Sequence, residues 1–153
     1  MNLYENKYWV VVANASKLKI FACYDNLHNP NLNFIQGLNH EASRLKAHDL
    51  EDHSPGRYKT YALGEGSTYQ PKTNPKEVTK DDFAKEIALL LKHAKDANKY
   101  ESLIIIAHDH FYGVLKTHLD YKVQDSISMT ILKDYSSFST QELEQAILNE
   151  VLK

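Results

Sequence analysis

The sequence predicts an α/β domain built on a mixed five-stranded sheet, and three observations carry that expectation. Two short apolar runs, Tyr8 to Ala13 (YWVVVA) and Ser102 to Ala107 (SLIIIA), have the length and β-branched composition of buried central strands. The first is followed directly by further strand patterns, whereas the second stands between two segments of helical period. Strands gathered ahead of the first helix, then alternating with helices, call for an antiparallel meander followed by βαβ crossovers.

The elements follow in order. After the first strand, Asn14-Ala15-Ser16 forms a tight turn. Lys17 to Tyr24 then alternates Leu18, Ile20 and Ala22 against Lys17, Lys19 and Phe21, so it pairs back antiparallel. Asp25 to Asn31 carries turn chemistry in Asn26, Asn29 and Pro30, and Leu32 to Leu38 is a weaker third strand. His40 to Asp52 is polar and helical in part. A helix starts with Thr79 as its cap and Asp82 three residues on, places Phe83, Ile87, Leu90, Leu91 and Ala94 on one face, and stops at Asn98. After the Ser102 strand come a helix from about Phe111 to Leu119 and a strand from Ser126 to Leu132. A last helix is announced by Ser139 and Glu142, the two ends of a capping box. Ribonuclease H-like folds have this order of elements.

Composition sets the frame. The 153 residues, 42% hydrophobic and 25% charged, suit one globular domain over 1–153 with a sizeable core. Cys23 stands alone, so no internal disulfide forms, and its strand position makes it a core residue. The apolar run at the N-terminus is too short for a signal-peptide core, and no stretch reaches the roughly 20 apolar residues of a membrane span. A cytoplasmic protein is expected. The net charge of −2 gives no global pull toward nucleic acid, but it is unevenly spread. From His53 to Lys76, Arg57, Lys59, Lys72 and Lys76 stand against Glu65 alone, a local +3 that leaves −5 on the remainder.

That basic segment is the leading functional candidate. Between about residues 52 and 75, Pro55, Gly56, Gly64, Gly66, Pro71 and Pro75 interrupt a stretch with no apolar period, so a long exposed loop is expected there. Arg57 can hold a phosphate with two parallel N–H bonds, and Lys72 and Lys76 can add point charges. On the other reading, the prolines shape a surface excursion whose Arg57 pairs with a carboxylate of the body. Tyr58, Tyr61 and Tyr69 can stack on bases or pack the loop down. His108-Asp109-His110 follows the second apolar strand, at the carboxyl edge where open α/β sheets bind ligands. His108 and His110 are weak metal candidates, because adjacent residues rarely converge on one ion and Asp109 reads as a helix cap. No cofactor is expected. Two-metal nucleases on ribonuclease H-like sheets need clustered carboxylates, usually with one on the first strand, and Tyr8 to Ala13 contains none.

Several strings resemble the host-attachment protein family. They are Trp9-Val10-Val11-Val12-Ala13, Ser54-Pro55-Gly56-Arg57, Gln70-Pro71-Lys72-Thr73-Asn74-Pro75-Lys76-Glu77, and Phe83-Ala84-Lys85-Glu86-Ile87-Ala88. Lys133-Asp134 with Ser139 and Glu142-Leu143 continues the pattern, so the resemblance runs from about residue 8 to 150 in order and spacing. It implies a fold like the central domain of archaeal and eukaryotic release factors, in which a Gly-Gly-Gln loop enters the ribosome and helps water attack peptidyl-tRNA. The matching loop here offers Gly64-Glu65-Gly66 and then Gln70 but no Gly-Gly-Gln, so the backbone freedom that presents the glutamine is missing. The expectation is a non-catalytic module that engages the ribosome, tRNA or rRNA through Pro55, Gly56, Arg57, Gly64, Gly66, Gln70, Pro71, Lys72 and Lys76. The alternatives are a cytoplasmic protein-binding module that affects attachment indirectly and, third, a peptidyl-tRNA or other ester hydrolase.

Overall fold

The computed structural model describes residues 7–24, 27–40 and 75–153, with side chains in the last stretch from Thr79 onward. The two valine- and isoleucine-rich runs become neighbours. β1 (Tyr8–Ala13) pairs in parallel with β4 (Ser102–Ala107), placing Val11 opposite Ile105. β2 (Lys17–Cys23) returns antiparallel to β1, and β3 (Asn33–Asn39) runs antiparallel to β2. β5 (Ile127–Ile131) is parallel to β4, so the sheet order is β3-β2-β1-β4-β5. This is the expected mixed, ribonuclease H-like arrangement.

Strand alternation divides the apolar residues between the two faces. Trp9, Val11, Leu18, Ile20, Leu103 and Ile105 face one layer, where Phe83, Ile87 and Leu91 of α1 (Pro75–Asp96) are fully buried against them. α2 (Asp109–His118) adds Phe111 and Leu115 to that layer, and α3 (Tyr121–Ser126) adds Val123. The opposite face, with Val10, Val12, Phe21, Ile104 and Ile106, is covered by Leu143 and Ile147 of α4 (Thr140–Val151). Burial of each such aliphatic side chain stabilises the fold by about 1.5–3 kcal/mol. Cys23 lies fully buried in this second layer, as its strand position suggested.

Helix ends explain the differences from the sequence reading. α1 begins at Pro75, one turn before the expected cap, and Thr79 lies inside it at 3% exposure. Proline suits a first turn because its fixed φ is helical and its missing N–H would have no intrahelical acceptor there. The far end matches expectation. Asn98 takes φ 58°, its N–H donates to Lys95 O, and Lys99 N–H donates to Ala94 O, a double bond pattern that closes the last carbonyls. Tyr100 then donates its hydroxyl to Leu91 O at 2.8 Å, and burial pushes its phenol pKa up, so it stays neutral.

α2 starts two residues earlier than expected, and its cap is His108 rather than Asp109, the ring accepting from His110 N. α3 was not anticipated. It is a single short turn capped by Asp120, whose carboxylate accepts from Lys122 N at 3.0 Å, and it is too brief to show a hydrophobic period. β3 is displaced by one residue from its expected bounds, and β5 is one residue shorter than expected at each end. The capping box of α4 forms in full, with Ser139 and Glu142 each bonding the other's backbone N–H.

Two substitutions test this packing by urea unfolding. Ile105→Ala, in a strand buried on both faces, should cost about 2–5 kcal/mol. Ser139→Ala, which removes only a cap, should cost about 1 kcal/mol.

Candidate functional site

The β1–β4 register brings the ends of both strands to one edge. Ala13 pairs with Ala107, so Asn14 and His108 leave the sheet side by side at the carboxyl ends of parallel strands. Open α/β sheets characteristically bind ligands beyond such an edge.

Asn14 organises it. Its side-chain oxygen accepts from the backbone N–H groups of Ser16 and Lys17, each at 2.9 Å, which holds the β1–β2 turn. Its amide nitrogen donates to Ser136 Oγ at 2.9 Å, across to the connection between β5 and α4. Ser136 Oγ in turn donates to Asp134 Oδ1 at 2.6 Å, and Lys19 Nζ donates to Ser136 O at 2.9 Å. Tyr135 and Phe138 stack at 4.1 Å within the same connection. The network therefore locks two loops across the sheet end. Sequence reading placed Asn14-Ala15-Ser16 in a tight turn after β1, and that turn forms. Ser136 lies too far along the chain for any local pattern to pair it with Asn14.

The histidines beside this network have their first role in the backbone. His108 Nδ1 accepts from His110 N at 3.2 Å, and both side chains are exposed. Among the described residues, no three of His, Cys, Asp and Glu converge as metal ligands. One further ionic contact lies nearby, where α1 meets α2. His118 Nε2 donates to Asp81 Oδ1 at 2.6 Å, with Lys85 on the other carboxylate oxygen. That hydrogen bond, helped by the charges of His118 and Lys85, holds the Asp81 carboxyl below its usual range.

The edge is also where the basic segment is rooted. His40, which follows β3, donates its N–H to Ser16 O at 2.9 Å, and its ring lies 4.9 Å from that of Phe83 in α1. Phe83 lies 6.4 Å from Phe111 in the first turn of α2. α1 runs back toward the start of β4, so its first turn, with Pro75 and Lys76, stands at the carboxyl edge. Pro55, Gly56, Arg57, Gly64, Gly66, Gln70, Pro71 and Lys72 lie outside the described residues, as does the expected loop from about 52 to 74. Lys76 is described for its backbone alone.

A family described as "Protein required for attachment to host cells" has a sequence model that matches residues 9–147. An uncharacterized protein of Rickettsia prowazekii, RP470, is 28% identical over 106 residues, covering 65% of this chain and 71% of its own length. Among solved structures, the archaeal translation termination factor aRF1 superposes with a TM-score of 0.45 at 12% identity, covering 96% of this chain and 38% of that one. Bacillus thuringiensis ParM with ATP gives 0.47 at 16% identity, covering 100% of this chain and 49% of that one. The chain spans less than half the length of either solved structure.

Asn14→Ala removes the acceptor of the part-buried Ser16 N–H and the exposed Lys17 N–H and the donor to Ser136, so it should lower unfolding stability by about 0.5–1.5 kcal/mol in urea. Asp81 supplies a pH test. Its folded pKa lies below the unfolded one, so its contribution is fully present above the unfolded value and is lost as pH falls through the folded value. The gap in melting temperature between wild type and Asp81→Asn should therefore narrow as pH falls from about 5 through the acid range. Circular dichroism melts across that range would detect it.

Proposed function

Because this chain belongs to the family of proteins required for attachment to host cells, we propose that it is a non-catalytic cytoplasmic module that engages structured RNA, of the kind carried by the translation machinery, through its basic segment. One observation carries this reading. His40 and Pro75, the described residues that bracket 41–74, both stand at the carboxyl edge of the parallel strands; the charges of 41–74 balance as a whole, but its positive part, the +3 from His53 to Lys76, runs into the first turn of α1 and is therefore rooted on that edge. Arg57 is suited to two parallel bonds with a phosphate, and Lys72 and Lys76 to diffuse attraction. Lys76 also falls in the first turn of α1, where the helix dipole is positive. Residues 1–40 and 77–153 together carry −3, which repels a polyanion from the body and orients it on the basic part of the segment. On this reading attachment to host cells depends on the protein through gene expression rather than through surface adhesion.

A second reading, a protein-binding module that affects attachment indirectly, is favoured by the opposite side of the sheet. There Phe34 and Ile35 of β3 are 61% and 40% exposed at a sheet edge with which nothing pairs among the described residues.

Sedimentation of tagged protein with ribosomes at low and high salt tests the first reading. Co-sedimentation should weaken with salt. The triple substitution Arg57→Ala, Lys72→Ala and Lys76→Ala should weaken it further and flatten the slope of log affinity against log salt by roughly two to three units. Unchanged affinity and slope in a folded triple variant would remove the basic segment as the RNA-binding surface. Recovery of a protein partner without RNA would support the second reading instead.

A further inference from the structure

Away from the carboxyl edge, a groove of about 430 Å3 opens between the C-terminal half of α1 and the β2–β3 side of the sheet. Trp9, Ile35, Leu90 and Ala94 supply its apolar surface, and Lys7 and Lys99 bring positive charge, while among the described residues no Asp or Glu lines it. β3 borders it as the last strand of the sheet, and among the described residues nothing pairs with its outer side.

β3 (NFIQGLN) carries no charge and no proline, the devices that ordinarily keep an edge strand from pairing. Its register with β2 shifts between Ile20 and Phe21, so that Ile20 faces Gln36 while Phe21 faces Phe34. Ile35 is the extra residue, and it turns into the groove together with Gln36. Phe34 goes to the other face, edge-on to Phe21 at 5.6 Å. Its ring also lies over Gly37, where a Cβ would come within 3.4 Å of it and 3.3 Å of Leu18 O. Tyr24, 53% exposed at the end of β2, completes an apolar surface that continues from the edge into the groove.

We propose that β3 and this groove form a docking site for an extended acidic–apolar peptide segment of a partner protein, which adds to the sheet as a sixth strand. Main-chain bonds to the outer edge of β3 supply affinity, and alternate side chains entering the groove supply specificity. Charge complementarity selects the occupant. Lys7 and Lys99 flank an apolar floor with no competing carboxylate among the described lining residues, so apolar side chains alternating with Asp or Glu fit both features. A second copy of this chain fits less well, because its β3 offers no acid to the lysines. This site gives the protein-binding reading its location and ligand chemistry, and it shares no residue with the basic segment. Failure of one therefore leaves the other standing.

The probe is a soluble synthetic peptide of alternating valine and glutamate, with the valine–lysine peptide as its counterpart. Trp9 is the chain's single tryptophan and lines the groove, so its emission reports occupancy directly. The glutamate peptide should change Trp9 emission saturably, and added salt should weaken it. Lys99→Glu, at an exposed position, should reduce its affinity about tenfold. Ile35→Lys should reduce it by at least as much while leaving the circular dichroism melt unchanged. Equal binding of the lysine peptide, or no change in Trp9 emission with the folded protein, would overturn the proposal. A concentration-dependent dimer abolished by Ile35→Lys would overturn it in favour of self-association.

Discussion

Val10, Val11 and Val12 lie beside Ile104, Ile105 and Ile106 in a parallel ladder that joins the first strand to one far along the chain. Closing so large a loop costs configurational entropy before any contact offsets it. The offset comes from burial on both faces, since all six side chains are at most 1% exposed and meet α1 on one side and α4 on the other. Every functional feature depends on this pairing. It aligns Asn14 with His108, fixes which end of the sheet is the carboxyl edge, and sets the direction in which α1 must run to reach β4.

The two ends of α1 thereby come under different chemistry. At the carboxyl edge, where it starts, Asn14, Ser16, Ser136 and Lys19 bond one another and brace the β1–β2 turn, to which His40, the residue before 41–74, is bonded. At its finish, Tyr100 donates to Leu91 O and packs against Trp9 at 5.1 Å, while Asn98 closes the helix in a left-handed conformation. The first environment favours a rigid frame for a charged segment. The second leaves an apolar floor beside an open strand edge, with lysines for neighbours.

How much could be read in advance follows from the range of each interaction. β1 and β4 were legible because a strand buried on both faces is apolar at every position, and the buried stripe of α1 was legible because its period is local. The α4 capping box and the Asn98 stop are also local, and both formed as read. The start of α1 was misjudged because Thr79 and Asp82 imitate a cap, while Pro75 tolerates the first turn for a reason that composition does not display. His108 displaced Asp109 as the cap of α2 because an imidazole nitrogen can accept a backbone N–H as a carboxylate does, though it is a less familiar partner there. The Asn14–Ser136 bond and the groove beside β3 draw on residues from distant elements, and no local pattern announces either. The nine basic-segment candidates rest on sequence, with Lys76 alone reached by the described backbone.

The two proposed surfaces are joined by one helix, which bears on whether they communicate. α1 has 22 residues, a length of roughly 33 Å, and presents Phe83 near its start and Leu91 near its finish, both fully buried in the same layer. A shift of the helix that altered one end would have to lift Phe83, Ile87 and Leu91 together out of contacts with β1 and β4. Close-packed interiors resist such movement unless a second arrangement of similar energy exists. The described residues contain one set of contacts for α1, with its finish tied by Tyr100 and its first half held to α2 through Asp81 and His118. Coupling between sites requires an element with two states that both ligands bias. A helix pinned along its whole buried face is a spacer instead, so RNA at one end and a peptide at the other would be bound independently. That independence suits a module that brings two partners together, because joint occupancy then follows from the concentration of each.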